Sequence, residues 1–268
     1  MADVVYGSLS PAQRLDLYRP ATGKGPWPVV VYVHGGGFRF GERTMASAAL
    51  VKSFLQAGYA VASVDYRLSG EAPFPAAVQD VFSAVAHIKR QATALQLDAS
   101  RLVMFGESAG ANLASLVGTA HDEPLFRQLV PTQDLDLRPT AVVAHYPPVD
   151  FSRIDSMLRA QGCNPAQINH DRGDSFESAY LGAALPTVPD RVARANPATY
   201  ASAGDSRFLV QNGDSDCNVG SGQAAILVDA LRKAGVTVSH DVLPGAGHGG
   251  PQFETEVNIA RILAFLRS

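Results

Sequence analysis

The pentapeptide Gly106-Glu107-Ser108-Ala109-Gly110 constrains this chain more than any other stretch, because of what flanks it. Before it lies the apolar run Arg101 to Phe105; after it the small residues Ala111 to Ala120 read as a helix. Strand, sharp turn and helix is the setting in which a Gly-x-Ser-x-Gly sequence carries chemical meaning. The serine backbone in such a turn is strained so that its hydroxyl stands clear of the sheet, and a Cβ at either flank would strike a neighbouring element. The following helix aims its free N–H groups and positive end at any anion formed beside Ser108.

The rest of the chain supplies the sheet that such a turn needs. Gln13 to Tyr18 alternates like an exposed-edge strand, and Val29 to Val33 is a continuous apolar run, typical of a strand covered on both faces. Glu42 to Ala57 reads as a helix closed by Gly58, followed by a strand from Tyr59 to Val64. Val78, Val81, Phe82, Val85 and Ile88 fall on one helical face, and Leu102 to Phe105 is the next buried strand. Ala141 to Tyr146, Arg207 to Gln211 and Val236 to Leu243 read as later strands, with helices over about 221–233 and 253–266. Alternation of this kind predicts an α/β fold whose sheet is mostly parallel, with helices on both faces and ligands at the carboxyl ends of the strands. Residues 151–203 break the rhythm. They are rich in Pro, Gly, Asn and Asp, with short helical pieces such as Ser175 to Leu181, and read as an inserted lid or pocket wall.

Composition narrows the partner. A chain of 268 residues, 46% apolar and with a net charge of −3, has ample core for one large α/β domain over 1–268 and carries no basic stripe for nucleic acid or an anionic membrane. A small molecule is the expected partner. The opening residues Met1 to Tyr6 lack signal-peptide character and no window approaches a membrane span, so a cytoplasmic protein is expected. On that expectation the two cysteines, Cys163 and Cys217, are read as reduced thiols.

His34-Gly35-Gly36-Gly37-Phe38 follows the first buried strand. Three glycines let backbone N–H groups turn inward and stabilise charge on a carbonyl oxygen under attack. A phosphate cradle is the competing reading, but neither Gly-x-Gly-x-x-Gly nor a P-loop lysine is present. His34 itself is read as bracing the loop. A serine nucleophile also needs a base, and the base an acceptor, in the order Ser, Asp or Glu, His. Of seven histidines, His87 precedes Ser108, His121 lies at the far end of the helix, His145 and His240 sit in strands, and His170 precedes every plausible acid. His248, in the loop Pro244 to Gly250, is left. The acid comes from Asn212 to Cys217, where spacing alone leaves Asp214 and Asp216 open.

With these motifs in place, the chain resembles the α/β-hydrolase superfamily, on the side of hormone-sensitive-lipase-like and feruloyl-esterase-like carboxylesterases. The resemblance is carried by His34 to Phe38, Asp65-Tyr66-Arg67-Leu68 with Phe74-Pro75-Ala76, the Gly106 to Gly110 turn, Asn196-Pro197-Ala198-Thr199-Tyr200 and Leu243 to His248. The family's Gly-x-x-Asp-x-x-Val pattern falls on Gly213, Asp216 and Val219, which favours Asp216. This chain departs from the family at Asn212 and Gly220, where His and Pro are frequent. The resemblance implies catalytic Ser108, Asp216 and His248, an oxyanion hole of the Gly36, Gly37 and Ala109 N–H groups, and no cofactor or metal. It further implies ester hydrolysis, and the polar composition of 151–203, with no amphipathic helix for an apolar lid, narrows the expected substrates to short-chain acyl or aryl esters; the short N-terminal segment places the chain nearer the compact, feruloyl-esterase-like branch. An amide or formamide hydrolase resembling arylformamidases, and a catalytically silent small-ligand binder, are the alternatives. Glu107 is read either as tuning the site or as a structural hydrogen-bonding group beneath the turn.

Overall fold

The apolar runs become the inner strands of an eight-stranded sheet in a computed structural model that describes residues 1–131 and 134–267. The strands are β1 (Val4–Val5), β2 (Arg14–Tyr18), β3 (Trp27–Val33), β4 (Ala60–Val64), β5 (Leu97–Glu107), β6 (Ala141–His145), β7 (Arg207–Gly213) and β8 (Val238–Leu243), in the order β1-β2-β4-β3-β5-β6-β7-β8. From β4 to β8 every pairing is parallel, while β1 with β2 and β2 with β4 are antiparallel. The helices are α1 (Ala48–Gln56), α2 (Ala76–Arg90), α3 (Ala92–Leu95), α4 (Ala109–Thr119), α5 (Ile154–Gln161), α6 (Phe176–Leu181), α7 (Pro189–Ala195), α8 (Gly222–Lys233) and α9 (Glu256–Arg267).

Side chains alternate across a strand, and both faces of this sheet are covered, so the inner strands need apolar residues at every position. Val29, Val31 and Val33 of β3, with Leu102 and Met104 of β5, pack into one core beside residues of α2, α4 and α8. Val30, Tyr32, Val103 and Phe105 face the other way, onto Leu50 and Phe54 of α1 and Ile259, Ile262 and Phe265 of α9. All eleven residues of α4 are buried, which fits its run of Ala, Gly, Leu and Val with no charge.

Three elements differ from the sequence reading. The strand at Arg14–Tyr18 is not the sheet edge, because the two residues of β1 pair alongside it, Val4 opposite Leu15 and Val5 opposite Arg14. The helix expected from Glu42 is interrupted: Arg43–Met45 is a single 3₁₀ turn, held where the Arg43 guanidinium meets Asp16 and Asp65, and α1 starts only at Ala48. Residues 151–203 hold more helix than their composition indicates, α5 to α7 joined by 3₁₀ turns. Each piece is short because stop signals are close by: α6 starts at a Ser175 cap that accepts the Ser178 N–H and ends at Gly182 with φ +74.

Candidate active site

Parallel strands deliver their carboxyl ends to one edge of the sheet, and β3, β5, β6, β7 and β8 each end there in a loop that contributes to one cleft. Ser108 joins β5 to α4 with φ 53 and ψ −121, a backbone conformation that a non-glycine residue holds only under restraint. Its N–H donates to the His145 carbonyl at 2.9 Å, tying the turn to β6. Both flanking glycines are required: a Cβ on Gly106 would collide with the Gly110 carbonyl, and a Cβ on Gly110 with the Val33 carbonyl of β3.

The structure brings Ser108, His248 and Asp216 into one chain of hydrogen bonds. Ser108 Oγ lies 2.7 Å from His248 Nε2, and His248 Nδ1 lies 2.8 Å from Asp216 Oδ2. Asp216 is fully buried, and its Oδ1 accepts the N–H groups of Asn218 at 2.8 Å and Val219 at 3.1 Å. Burial pushes its carboxyl pKa up, but the bonds and charge of His248 and these two N–H groups outweigh that and hold it below the usual carboxylate range. Asp214, which spacing alone leaves open, is exposed and lies elsewhere. Its Oδ1 accepts the Gly245 N–H at 2.8 Å, fastening the loop that carries His248.

The triple-glycine loop borders the same cleft. Gly36 and Gly37 take φ +107 and +60, open to glycine without a Cβ penalty, and a Cβ on Gly37 would press into the Phe176 ring. As the first residue of α4, Ala109 has an N–H with no acceptor inside its own helix, and it lines the cleft together with Gly36 and Gly37. His34 lies beneath the loop: its Nδ1 is 2.7 Å from the Gly35 carbonyl and its ring stacks on Tyr66 at 4.3 Å. Burial lowers its pKa, which keeps it neutral. Glu107 accepts the Tyr32 hydroxyl at 2.7 Å, and burial together with the nearby Glu254 raises its pKa despite that bond. The Tyr32 contact is the structural hydrogen bond of one sequence reading, and Glu107 also lines the cleft.

Several neighbours of the site carry no sequence signal. Tyr146, with φ 41, sets its ring edge-on to His248 at 4.7 Å and to Phe253 at 4.8 Å, limiting the tilt of the imidazole. His145 is buried behind it between Phe105 and Phe253, its pKa pushed down to about 3 by burial. The expectation of reduced cysteines is overturned: Cys163 and Cys217 form a disulfide, S–S 1.98 Å with Cα atoms 5.6 Å apart. They are 54 residues apart and meet because the end of α5 folds against the turn after β7. Disulfides persist in oxidising surroundings, so this bond runs against the cytoplasmic expectation from which the reduced reading was drawn. The cleft encloses about 850 Å³, with Phe40, Met45 and Phe176 on one side and Gln167, Asn169, His170, Arg172 and Asp174 among its polar lining.

A family model described as BD-FAE matches residues 15–231. The chain belongs to the BD-FAE family. Esterase LipC of Mycobacterium tuberculosis is 28% identical over 251 residues, covering 92% of this chain and 59% of LipC. The chain spans between 54% and 59% of the length of the first three curated relatives it matches. Among solved structures, a truncated carbohydrate esterase from gut microbiota superposes with a TM-score of 0.88 at 24% identity, over all of this chain and 94% of its own. A bifunctional GH43-CE protein of Bacteroides eggerthii also reaches 0.88, at 28% identity, over all of this chain and 37% of its own. The sheet order and these superpositions make the BD-FAE chain an α/β-hydrolase fold.

Proposed function

We propose that this protein is a serine carboxylesterase that cleaves esters of short acyl chains. The observation that carries the reading is the unbroken relay Ser108 Oγ, His248, Asp216, opening onto a cleft bordered by the Gly36, Gly37 and Ala109 N–H groups. In the proposed reaction His248 Nε2 takes the Ser108 proton as Oγ attacks the ester carbonyl, and the imidazolium returns it to the departing alkoxide. The three N–H groups hold the tetrahedral oxyanion in a site fixed before substrate arrives. Water then enters the place of the alcohol, gives its proton to His248 and releases the acid. Asp216 keeps Nδ1 protonated, so that Nε2 is free to accept. The relatives' esterase names support this reading, and the polar wall at Gln167, Asn169, Arg172 and Asp174 favours a hydrophilic alcohol over a fatty one.

A fluorophosphonate probe tests the nucleophile. It is expected to label Ser108, found by peptide mass mapping, and Ser108→Ala is expected to lower kcat by about 10⁶ with the fold intact. Labelling elsewhere, or turnover by Ser108→Ala within about tenfold of the parent, would end the reading.

A further inference from the structure

The turn at 214–219 carries Asp216 between β7 and α8, and little within the turn fixes its own backbone. Gly213 precedes it, and Gly220, with φ +87, follows where a proline's fixed negative φ could not be accommodated. Only the Asn218 and Val219 N–H groups hold the Asp216 carboxylate locally. Outside the turn, the Asp214 N–H donates to the Leu243 carbonyl at 3.3 Å and the Ser215 N–H to the Ala246 carbonyl at 3.0 Å, tying one side to β8 and the His248 loop, while residues 151–203 hold the other side through Gln161 and Cys163.

Gln161, the last residue of α5, donates through Nε2 to the Asp216 carbonyl at 2.9 Å and reaches the Asp214 carbonyl at 3.4 Å. Its Oε1 accepts both the N–H and the hydroxyl of Ser221, at 3.1 and 3.0 Å, so one amide spans the turn from end to end. Cys163, two residues on, is bonded to Cys217, the neighbour of Asp216. His170 Nδ1 lies 2.9 Å from Glu177 Oε1, while its own N–H and that of Asp171 are held by Asp155 at 3.0 and 3.2 Å. Burial lowers the His170 pKa, yet Glu177, Asp155 and the Asn218 backbone outweigh it and raise the imidazole above its ordinary value. Glu177 is itself buried, its Oε2 has no hydrogen-bond partner among the described residues, and His170 is the basic group paired with its other oxygen. His170 and Asn218 face the same cleft.

We propose that Gln161 and Cys163 are positioning residues that clamp the Asp216 turn against His248, and that the Cys163–Cys217 bond makes turnover sensitive to thiol reductants. The inference rests on Asp216 acting through His248. A misplacement of about 1 Å in such a relay can cost about 10²-fold in rate, and Asp216 acts in the chemical step through His248. The clamp therefore acts on kcat more than on KM. Cys217 lines the cleft, where a dithiol can reach it. The S–S bond then breaks, the protein gains two electrons and two protons as two thiols, and the dithiol leaves as its cyclic disulfide.

The test compares Gln161→Ala, the double change Cys163→Ser with Cys217→Ser, and the parent treated with dithiothreitol until thiol titration shows two sulfhydryls. Each is expected to lose between about 10- and 100-fold in kcat with KM little changed, and to weaken or shift the low-field proton resonance of the His248–Asp216 hydrogen bond. Dithiothreitol should have no effect on the double variant. Parent-like kcat with that resonance unmoved in all three would overturn the clamp, as would a loss confined to KM. If the variants fail to fold, the reduced parent alone decides. Asp216→Asn separates the two readings: parent-like kcat there ends the role of Asp216, whereas loss there beside parent-like clamp variants ends the clamp alone.

Discussion

Asp214 and Asp216 leave the end of β7 two residues apart, one turned to solvent and one fully buried. A buried carboxylate is stable only if it is paired and hydrogen-bonded, and Asp216 has His248 on one oxygen and two N–H groups on the other. Replacing it with asparagine leaves the shape but lets the amide donate toward Nδ1, favouring the tautomer that cannot accept from Ser108. We expect Asp216→Asn to cost about 10⁴ in kcat. Asp214→Asn loses only a charge while keeping an acceptor for the Gly245 N–H, so its cost should be far smaller. Steady-state rates on an aryl ester decide it, and the opposite ranking would move the role to Asp214. At this scale the sequence is legible where a residue is defined by its neighbours in the chain. Gly106 and Gly110 are such residues, because the turn itself demands them. His248 is another, reached by chain order among the histidines. Asp216 needed the family pattern, since burial rather than spacing distinguishes it from Asp214. Tyr146, Gln161 and the cysteine pair were silent because their partners lie 54 to 102 positions away, and only the closed sheet brings them together.

Among elements, the inner strands were legible because two covered faces force an apolar residue at every position. The outer ones were less so. Arg14–Tyr18 alternates like an edge strand, but a two-residue neighbour is too short to announce itself by periodicity. Of the helices of 151–203, α6 was legible as the piece from Ser175 to Leu181, while α5 and α7 escaped for a related reason: eight and seven residues give barely two turns, and their positions are set by packing and not by a long apolar face. One such packing contact titrates. The folded pKa of His170 is raised above its unfolded value, which is about 6.5, so its pairing contributes fully below that pH and is lost as pH rises through the folded value. Glu177, Asp155 and Asp171 are the charged groups facing it, all acidic and all favouring the imidazolium. The double variant His170→Asn with Glu177→Gln keeps the shape and removes the titration. Its deficit in Tm against the parent should be largest near about pH 6 and narrow toward about pH 9. A deficit that stays constant or widens over that range, measured by thermal unfolding, would show that the pair is not held by the charge of His170.

For the molecule as a whole, the relevant question is how much acyl chain the cleft can remove from water. Its volume of about 850 Å³ is ample for a small ester, but it is open, and its apolar part is a rim instead of a closed tunnel. Phe40, Met45 and Phe176 are 57%, 52% and 43% exposed, with the Arg39 guanidinium over the two phenylalanine rings at 5.8 and 5.9 Å. A true lid would lay a broad apolar helix face over such a rim. Residues 151–203 instead bring Arg172, Asp174, Asn169 and Gln167 to the cleft, while Tyr180 and Phe151 are spent in packing on Phe38 beneath the glycine loop. A fully buried methylene contributes about 0.8 kcal/mol, roughly fourfold in kcat/KM, and a methylene lying on a half-exposed rim contributes a fraction of that. Beyond the rim the chain meets charge or solvent and gains nothing, while the entropy of ordering it still opposes binding. Activity on aryl esters is therefore expected to peak between acetyl and butyryl, to fall by about octanoyl, and to rise smoothly through the solubility limit of the substrate. A series from acetate to palmitate measures it. A maximum at decanoyl or longer, or a jump in rate when substrate passes into droplets, would mean that Phe40, Met45 and Phe176 close over the chain into an apolar channel when substrate is bound.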